Sequence, residues 1–144
     1  MIAIAPGGNV NSPTFREKLG DSVERVRNLV AAGKGNEMTP LADYEGAKGV
    51  YLVITTPAIY LTWFDPDGAM DQMAATKAIN PQTPVLFIGP KGDYPGLLKL
   101  KQSMFDALPK SPFNKLYEPD ASHLGAPSAS AEEIVRWISE VAKH

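Results

Sequence analysis

The sequence predicts an α/β fold: a short parallel sheet of about three strands, flanked by helices, with a helical insertion between the first two strands. Three short strand-like runs, separated by helical segments, support this prediction; they are residues 2–5, 84–89 and 114–118. The first two runs are apolar almost throughout, which is typical of strands buried on both faces of a sheet. Because helical segments separate the strands, we expect parallel pairing joined by crossovers.

Turn and capping residues define the end of the first run and the start of the helix after it. Residues 1–5 are all apolar, and the stretch Pro-Gly-Gly-Asn at 6–9 predicts a turn. Ser12 can cap a helix with Pro13 at its first position. Apolar residues then recur at helical spacing up to Val30, and Gly33 is suited to end the helix.

The following stretch gives a mixed signal. Residues 33–49 read as a loop with undetermined helix content, and Val50 to Thr56 has strand propensity. From Ala58 onward the pattern fits a short buried helix equally well, so both alternatives stay open. The turn at 65–68 and a helix over 69–78 complete this part of the chain.

The second half alternates regularly between strand and helix. The run at 84–89 is closed by glycine and proline, residues 94–108 form an amphipathic helix, and a third strand begins at Asn114. Ser130 and Glu133 have the spacing of a capping box at the start of the last helix.

Composition restricts the functional classes. The chain has 144 residues, about one domain, and a net charge of -2, which gives no basic footprint for nucleic acid. It has no cysteine, hence no disulfide framework or thiolate metal site, which fits the cytoplasm. We expect no signal peptide and no membrane association, because the apolar stretch at 50–64 is interrupted and too short to span a bilayer.

Two loops that follow predicted strands carry residues capable of acid–base chemistry. Asp93 follows the strand at 84–89, and His123 follows the strand at 114–118. Because ligands of open α/β sheets bind beyond the carboxyl ends of the strands, we expect both side chains at the same edge. A carboxylate bonded to one imidazole nitrogen fixes the tautomer and leaves the other nitrogen free to accept a proton.

Several motifs together resemble the C-terminal half of an α/β-hydrolase. "MIAIAPGG" resembles the sixth strand and its exit, "TPVLFIGPKGDYPG" the seventh strand and acid loop, "NKLYEPDASHLGAP" the eighth strand and histidine loop, and "SAEEIVRWISEVA" the final helix. The resemblance implies a partial hydrolase fold in a single domain, 1–144, with residues 12–80 as a cap-like insertion. It implies Asp93 as the acid, His123 as the general base, and descent from carboxylic ester hydrolases.

The nucleophile elbow of that family is missing from this sequence. The family places its serine in G-x-S-x-G between a strand and a helix. The nearest match, Gly20-Asp21-Ser22-Val23-Glu24, lies inside the predicted first helix. Three functions stay open: an esterase-like hydrolase whose nucleophile is unrecognised or comes from another chain, a non-catalytic truncated remnant that self-associates, or a module that binds a small apolar ligand.

The remaining candidates concern the insertion and the first strand. Tyr60, Trp63 and Phe64 are expected to pack in a core or cap, or to line an acyl pocket. Asp65 to Asp71 resembles a calcium loop only loosely, because Thr76 stands at its twelfth position, so we expect no metal and no cofactor. An unpaired edge on the strand Ile2 to Ala5 predicts a homodimer.

Overall fold

The computed structural model describes residues 1–7, 10–45, 48–68 and 70–143. The chain divides into two compact units, Met1–Gly7 with Thr76–His144, and Gly8–Ala75. The second unit spans nearly the stretch predicted as an insertion at 12–80, and the single domain over 1–144 stays a prediction. The turn predicted at 6–9 and the helix start predicted at Ala69 lie partly outside the described residues.

The described residues form short strands and longer helices. The strands are β1 Ile2–Ile4, β2 Thr39–Glu45, β3 Gly49–Thr55, β4 Leu86–Ile88 and β5 Lys115–Tyr117. The helices are α1 Pro13–Ala31, α2 Pro57–Phe64, α3 Gln72–Lys77, α4 Pro95–Asp106, α5 Ala126–Ala129 and α6 Ala131–Val141. None of these described helices is both long and apolar enough to cross a membrane.

The first unit contains the parallel sheet, in the order β1-β4-β5. Ile2 lies opposite Leu86 in one pair of strands, and Leu86 lies opposite Lys115 in the other. Helices lie between these strands along the chain. The predicted fold class, a short parallel sheet of three strands flanked by helices, is therefore confirmed.

Strand β4 lies at the centre of the sheet and is fully buried. Leu86 and Ile88 pack against Trp137 of α6, whereas Phe87 meets Phe105 of α4 edge to face at 6.3 Å. Alternate side chains of a strand point to opposite faces, so each face of β4 has its own helix. Burial of these side chains gives the unit its core.

Strand β1 differs from its prediction. All three of its residues are half-buried rather than buried on both faces. Among the described residues, β1 pairs with β4 on one side, so it lies at an edge of the sheet and is covered less completely than the central strand.

The first helix of the second unit follows the sequence signals closely. Ser12 Oγ accepts the Phe15 N–H at 3.3 Å, and Pro13 occupies the first turn of α1. Gly33 has φ +77°, the left-handed conformation that glycine adopts at helix ends. Leu19, Val23 and Val26 form the buried stripe of α1.

The rest of the second unit corrects the expectation of a helical insertion. The loop predicted at 33–49 contains β2, which pairs with β3 in an antiparallel hairpin. Both alternatives for the next stretch are present, since β3 ends at Thr55 and α2 follows it directly. Strand β2 was not predicted because it contains residues of low strand propensity, among them Pro40 and Asp43. Burial of Leu41 in the core stabilises the strand instead.

Two helix ends also differ from prediction. Helix α3 begins at Gln72 rather than 69 and ends at Lys77. The prediction of a capping box at the start of α6 is wrong, because Ser130 makes no side-chain capping bond. The Glu133 carboxylate instead forms ion pairs with Lys115 and Arg136, which draw it away from the helix terminus.

Candidate functional site

The loops that leave β4 and β5 continue side by side beyond the strands. Gly89 N–H donates to the Tyr117 carbonyl at 2.9 Å, and Lys91 N–H donates to the Pro119 carbonyl at 3.0 Å. A last parallel bridge joins Gly92 to Ser122. The next residue of each loop is a site candidate, so the extended pairing brings Asp93 and His123 to the same level.

Gly92 is required for this close approach. A Cβ atom at position 92 would lie 2.9 Å from the carbonyl oxygen of Ala121. That oxygen accepts the Gly92 N–H at 3.0 Å, so the two backbones cannot separate without losing the bond. The glycine before the acid therefore permits the contact between the two loops.

Asp93 and His123 form a direct pair. His123 Nδ1 lies 2.8 Å from Asp93 Oδ1. The Asp93 side chain is 4% exposed, whereas the His123 side chain is 30% exposed. The buried partner is thus the carboxylate, and the imidazole reaches the surface.

Tyr94 contacts both members of this pair. Its backbone N–H donates to Asp93 Oδ1 at 2.7 Å, and its ring packs against the imidazole with centroids 4.8 Å apart. These contacts restrict rotation of both side chains. An aromatic residue directly after the acid is visible in the sequence, but its contact with the imidazole is not.

The pair defines which imidazole nitrogen is available for chemistry. An ionised carboxylate only accepts hydrogen bonds, so the proton of a neutral His123 lies on Nδ1 and the lone pair on Nε2. No hydroxyl group in the described parts of the chain hydrogen bonds to Nε2. The arrangement can therefore accept a proton at Nε2 or attack an electrophile there.

The cavity that the described residues form beside Asp93 is too small for a substrate. A cavity of about 10 Å³ touches Asp93, Ala5 and Leu97, enough for a single water molecule. In the described part of the chain, the exposed side of His123 is therefore the open approach for a substrate.

The three aromatic candidates lie together in α2 of the second unit. Tyr60 is in the core, where its O–H donates to the Ala42 carbonyl at 2.6 Å. Burial raises the pKa of Tyr60, and a hydrogen bond with Ser22 opposes this only in part. Phe64 packs on Tyr60 with ring centroids 4.6 Å apart, and Trp63 is 58% exposed.

Phe64 also lines an open cleft within the second unit. The cleft has a volume of about 530 Å³, and Val10, Phe15 and Leu19 contribute apolar surface to it. Charged residues line it as well, namely Arg16, Asp21, Glu24 and Arg27. Tyr60 is packed in the core, and Trp63 is not part of the cleft lining, so the three aromatic residues do not form one pocket.

The half-elbow around Ser22 is helical. Ser22 lies in α1, with helical residues before it, and its Oγ accepts the Ala42 N–H at 3.3 Å. It therefore lacks the strand-to-helix turn that exposes a nucleophile.

The acidic turn at 65–68 pairs with an arginine. Arg27 forms ion pairs with Asp65 and Asp67, the latter at 2.8 Å. Burial raises the pKa of Asp65, but the Asp67 N–H and Arg27 together outweigh it and leave that pKa below its usual value. In the described part of the chain, no group of three or more His, Cys, Asp or Glu side chains could hold a metal ion.

Comparisons with known proteins add no relative. A scan against protein-family models and searches of curated proteins and solved structures returned no match for this chain.

Proposed function

We propose that this chain carries the acid–base part of an α/β-hydrolase-type site that hydrolyses carboxylic esters. Asp93 orients His123, and His123 Nε2 takes the proton of a hydroxyl nucleophile. The single observation that carries the proposal is the 2.8 Å contact between Asp93 Oδ1 and His123 Nδ1, made by loops that leave adjacent parallel strands. The order acid then histidine along the chain supports it too.

The exposures of the two side chains also support the proposal. A buried carboxylate keeps the imidazole in one tautomer and stabilises the imidazolium that forms when it accepts a proton. A partly exposed imidazole can meet a hydroxyl and a substrate. The nucleophile is a hydroxyl that another chain contributes, or one of this chain that approaches His123 when substrate binds.

A fluorophosphonate probe tests this proposal, because such probes label hydroxyl groups activated by a neighbouring base. We expect labelling and hydrolysis of p-nitrophenyl butyrate by the purified chain, and loss of both in His123→Gln. Peptide mapping then identifies the labelled hydroxyl. Ser22→Ala is the matched control, since Ser22 lies within α1. Equal hydrolysis by the purified chain and His123→Gln, without labelling, would contradict a nucleophile in this chain and leave either a hydroxyl from another chain or the non-catalytic alternative.

The proposal includes a homodimer formed through the open edge of β1. Leu86 N–H donates to the Met1 carbonyl, and Ala5 N–H donates to the Ile88 carbonyl. Because backbone groups alternate in direction along a strand, the N–H groups of Ile2 and Ile4 face away from β4. Such groups can pair with a strand of a second copy.

Sedimentation analysis tests this dimer. We expect Ile4→Pro to shift the chain toward monomer, because proline removes an outward N–H, whereas Ile4→Val keeps the dimer. A monomer at all concentrations for the unmodified chain contradicts it. We further propose a cytoplasmic location and no nucleic-acid partner, supported by the absence of cysteine and the net charge of -2.

The cleft of the second unit favours a second function, binding of a small apolar ligand. Its volume of about 530 Å³ falls in the range of ligand sites, and Phe64 contributes an aromatic wall beside the charged residues that also line the cleft. Saturable binding of the uncharged fluorophore N-phenyl-1-naphthylamine tests it. We expect Phe64→Ala to weaken binding and Trp63→Ala to leave it unchanged; equal binding by both variants would contradict this function.

A further inference from the structure

The imidazole of His123 presents one nitrogen that the described protein does not use. Nδ1 is held by Asp93, and the ring is packed on one side by Tyr94. No described side chain hydrogen bonds to Nε2, and the side chain is 30% exposed. The lone pair on Nε2 is therefore available to a small molecule without prior rearrangement of a neighbour.

We propose that His123 Nε2 is itself a nucleophile toward aryl esters, an activity that rests on the proposed hydrolytic site but needs no hydroxyl. Histidine is among the side chains that form covalent acyl intermediates. Here the buried Asp93 carboxylate raises the electron density of the ring through Nδ1–H and stabilises the positive charge that develops on attack.

The reaction has two steps, acylation of His123 and hydrolysis of the acyl group. The Nε2 lone pair attacks the ester carbonyl carbon, the bond from that carbon to the phenolic oxygen breaks, and the phenolate leaves with the bonding electrons. This forms an acyl-imidazolium whose remaining ring proton stays on Nδ1, near Asp93. Water then attacks the acyl carbon, the bond to Nε2 breaks with its electrons returning to the ring, and one proton goes to solvent.

The same geometry restricts the substrate class. When His123 is the nucleophile, its Nε2 cannot also protonate the leaving group. The step is therefore limited to esters whose alcohol leaves as a stable anion, namely phenyl esters. The Tyr94 ring beside the imidazole is half exposed and offers an aromatic surface for the phenyl group.

The test uses the purified chain with p-nitrophenyl trimethylacetate, whose bulky acyl group slows the second step. We expect one equivalent of p-nitrophenolate to be released in a rapid phase, with the absorbance of an acyl-imidazole. Hydroxylamine should discharge this species as the hydroxamate. His123→Gln should lack the rapid phase, and His144→Gln, which changes the other histidine of the chain, should keep it.

Each alternative result has a definite meaning. An acyl group mapped to a serine or threonine hydroxyl, and lost in His123→Gln, overturns this inference and leaves the proposed general base standing. A rapid phase unchanged in His123→Gln, with the acyl group on an amine, overturns both. Absence of any rapid phase, with equal slow rates for the unmodified chain and His123→Gln, overturns this inference and leaves a general base that acts on a hydroxyl of another chain. Circular dichroism of the variants verifies that they are folded.

Discussion

The first unit contains two buried carboxylates whose surroundings differ. Asp93, beyond the carboxyl end of β4, pairs with one imidazole and accepts a backbone N–H. Glu133, in α6, is 2% exposed and pairs with Lys115, the first residue of β5, at 2.7 Å. Its second ion-pair partner is Arg136.

The two partner sets explain why only one carboxylate belongs to a candidate site. Lys115 and Arg136 are basic side chains, 43% and 71% exposed, and neither oxygen of Glu133 has hydrogen-bond geometry with them. His123 instead has a second nitrogen whose lone pair can react. Lys115 and Arg136 compensate the buried charge of Glu133. Asp93 instead orients the imidazole of His123, whose second nitrogen can react.

The largest expected effect comes from removing the charge of each carboxylate in turn. Asp93→Asn should lower the rate of acylation by p-nitrophenyl trimethylacetate roughly a hundredfold, because an amide no longer fixes the Nδ1–H tautomer. Glu133→Gln should leave that rate unchanged. Stopped-flow absorbance measures both. Equal rates for the two variants would remove the distinction between the carboxylates.

The second prediction concerns stability, to which we expect Glu133 to contribute more than an exposed carboxylate of the same helix. Glu133→Lys places a third positive charge beside Lys115 and Arg136 and should lower the free energy of unfolding by about 3 kcal/mol. The matched control is Glu132→Lys, an exposed neighbour in the same turn of α6, which should cost about 0.5 kcal/mol. Urea unfolding measures both. Similar losses in the two variants would show that the Glu133 ion pairs contribute little.

The third prediction tests the loop pairing that aligns Asp93 with His123. Gly92→Ala should destabilise the chain by about 1–2 kcal/mol and slow acylation, because the new Cβ would lie 2.9 Å from the Ala121 carbonyl oxygen. Gly96→Ala, within α4 where a Cβ meets no atom within 4 Å, should stabilise by about 0.5–1 kcal/mol. Urea unfolding and the acylation rate measure both. An unchanged acylation rate in Gly92→Ala would mean that the alignment does not depend on the glycine.

The smallest effect extends the comparison to Asp65, a carboxylate in the second unit. Because its folded pKa is lowered, the stability it contributes is present above its unfolded pKa, near 3.8, and is lost as the pH falls through the folded pKa. Asp65→Asn should therefore melt below the unmodified chain at pH 7, and the difference should disappear in acid. Thermal unfolding across this range measures it. A difference independent of pH would point to lost hydrogen bonds rather than charge.

The sequence predicted the structure best where local sequence signals agree with the observed strand pairing. The buried run around β4, the capped helix α1 and the strand ends beside Asp93 and His123 follow from periodicity, turn residues and parallel topology. Strand β2 could not be predicted, because its pairing with β3 depends on contacts distant in sequence rather than on its own propensity.

The site was predictable to the level of backbone position. The carboxyl ends of adjacent parallel strands place Asp93 and His123 at one edge. The sequence does not disclose that the loops keep pairing as far as Gly92, or that the Tyr94 ring packs on the imidazole, because both depend on register and rotamer. For the same reason the true partners of Glu133 replaced the expected capping box.

The most direct test of the account is the tautomer of His123. Long-range ¹H–¹⁵N NMR of histidine-labelled chain, with His123→Gln to assign the signal, distinguishes a protonated ring nitrogen from one with a free lone pair. We expect the neutral His123 to carry its proton on Nδ1, with Nε2 unprotonated, and Asp93→Asn to shift the proton toward Nε2. A neutral ring with its proton on Nε2 in the unmodified chain would contradict the account.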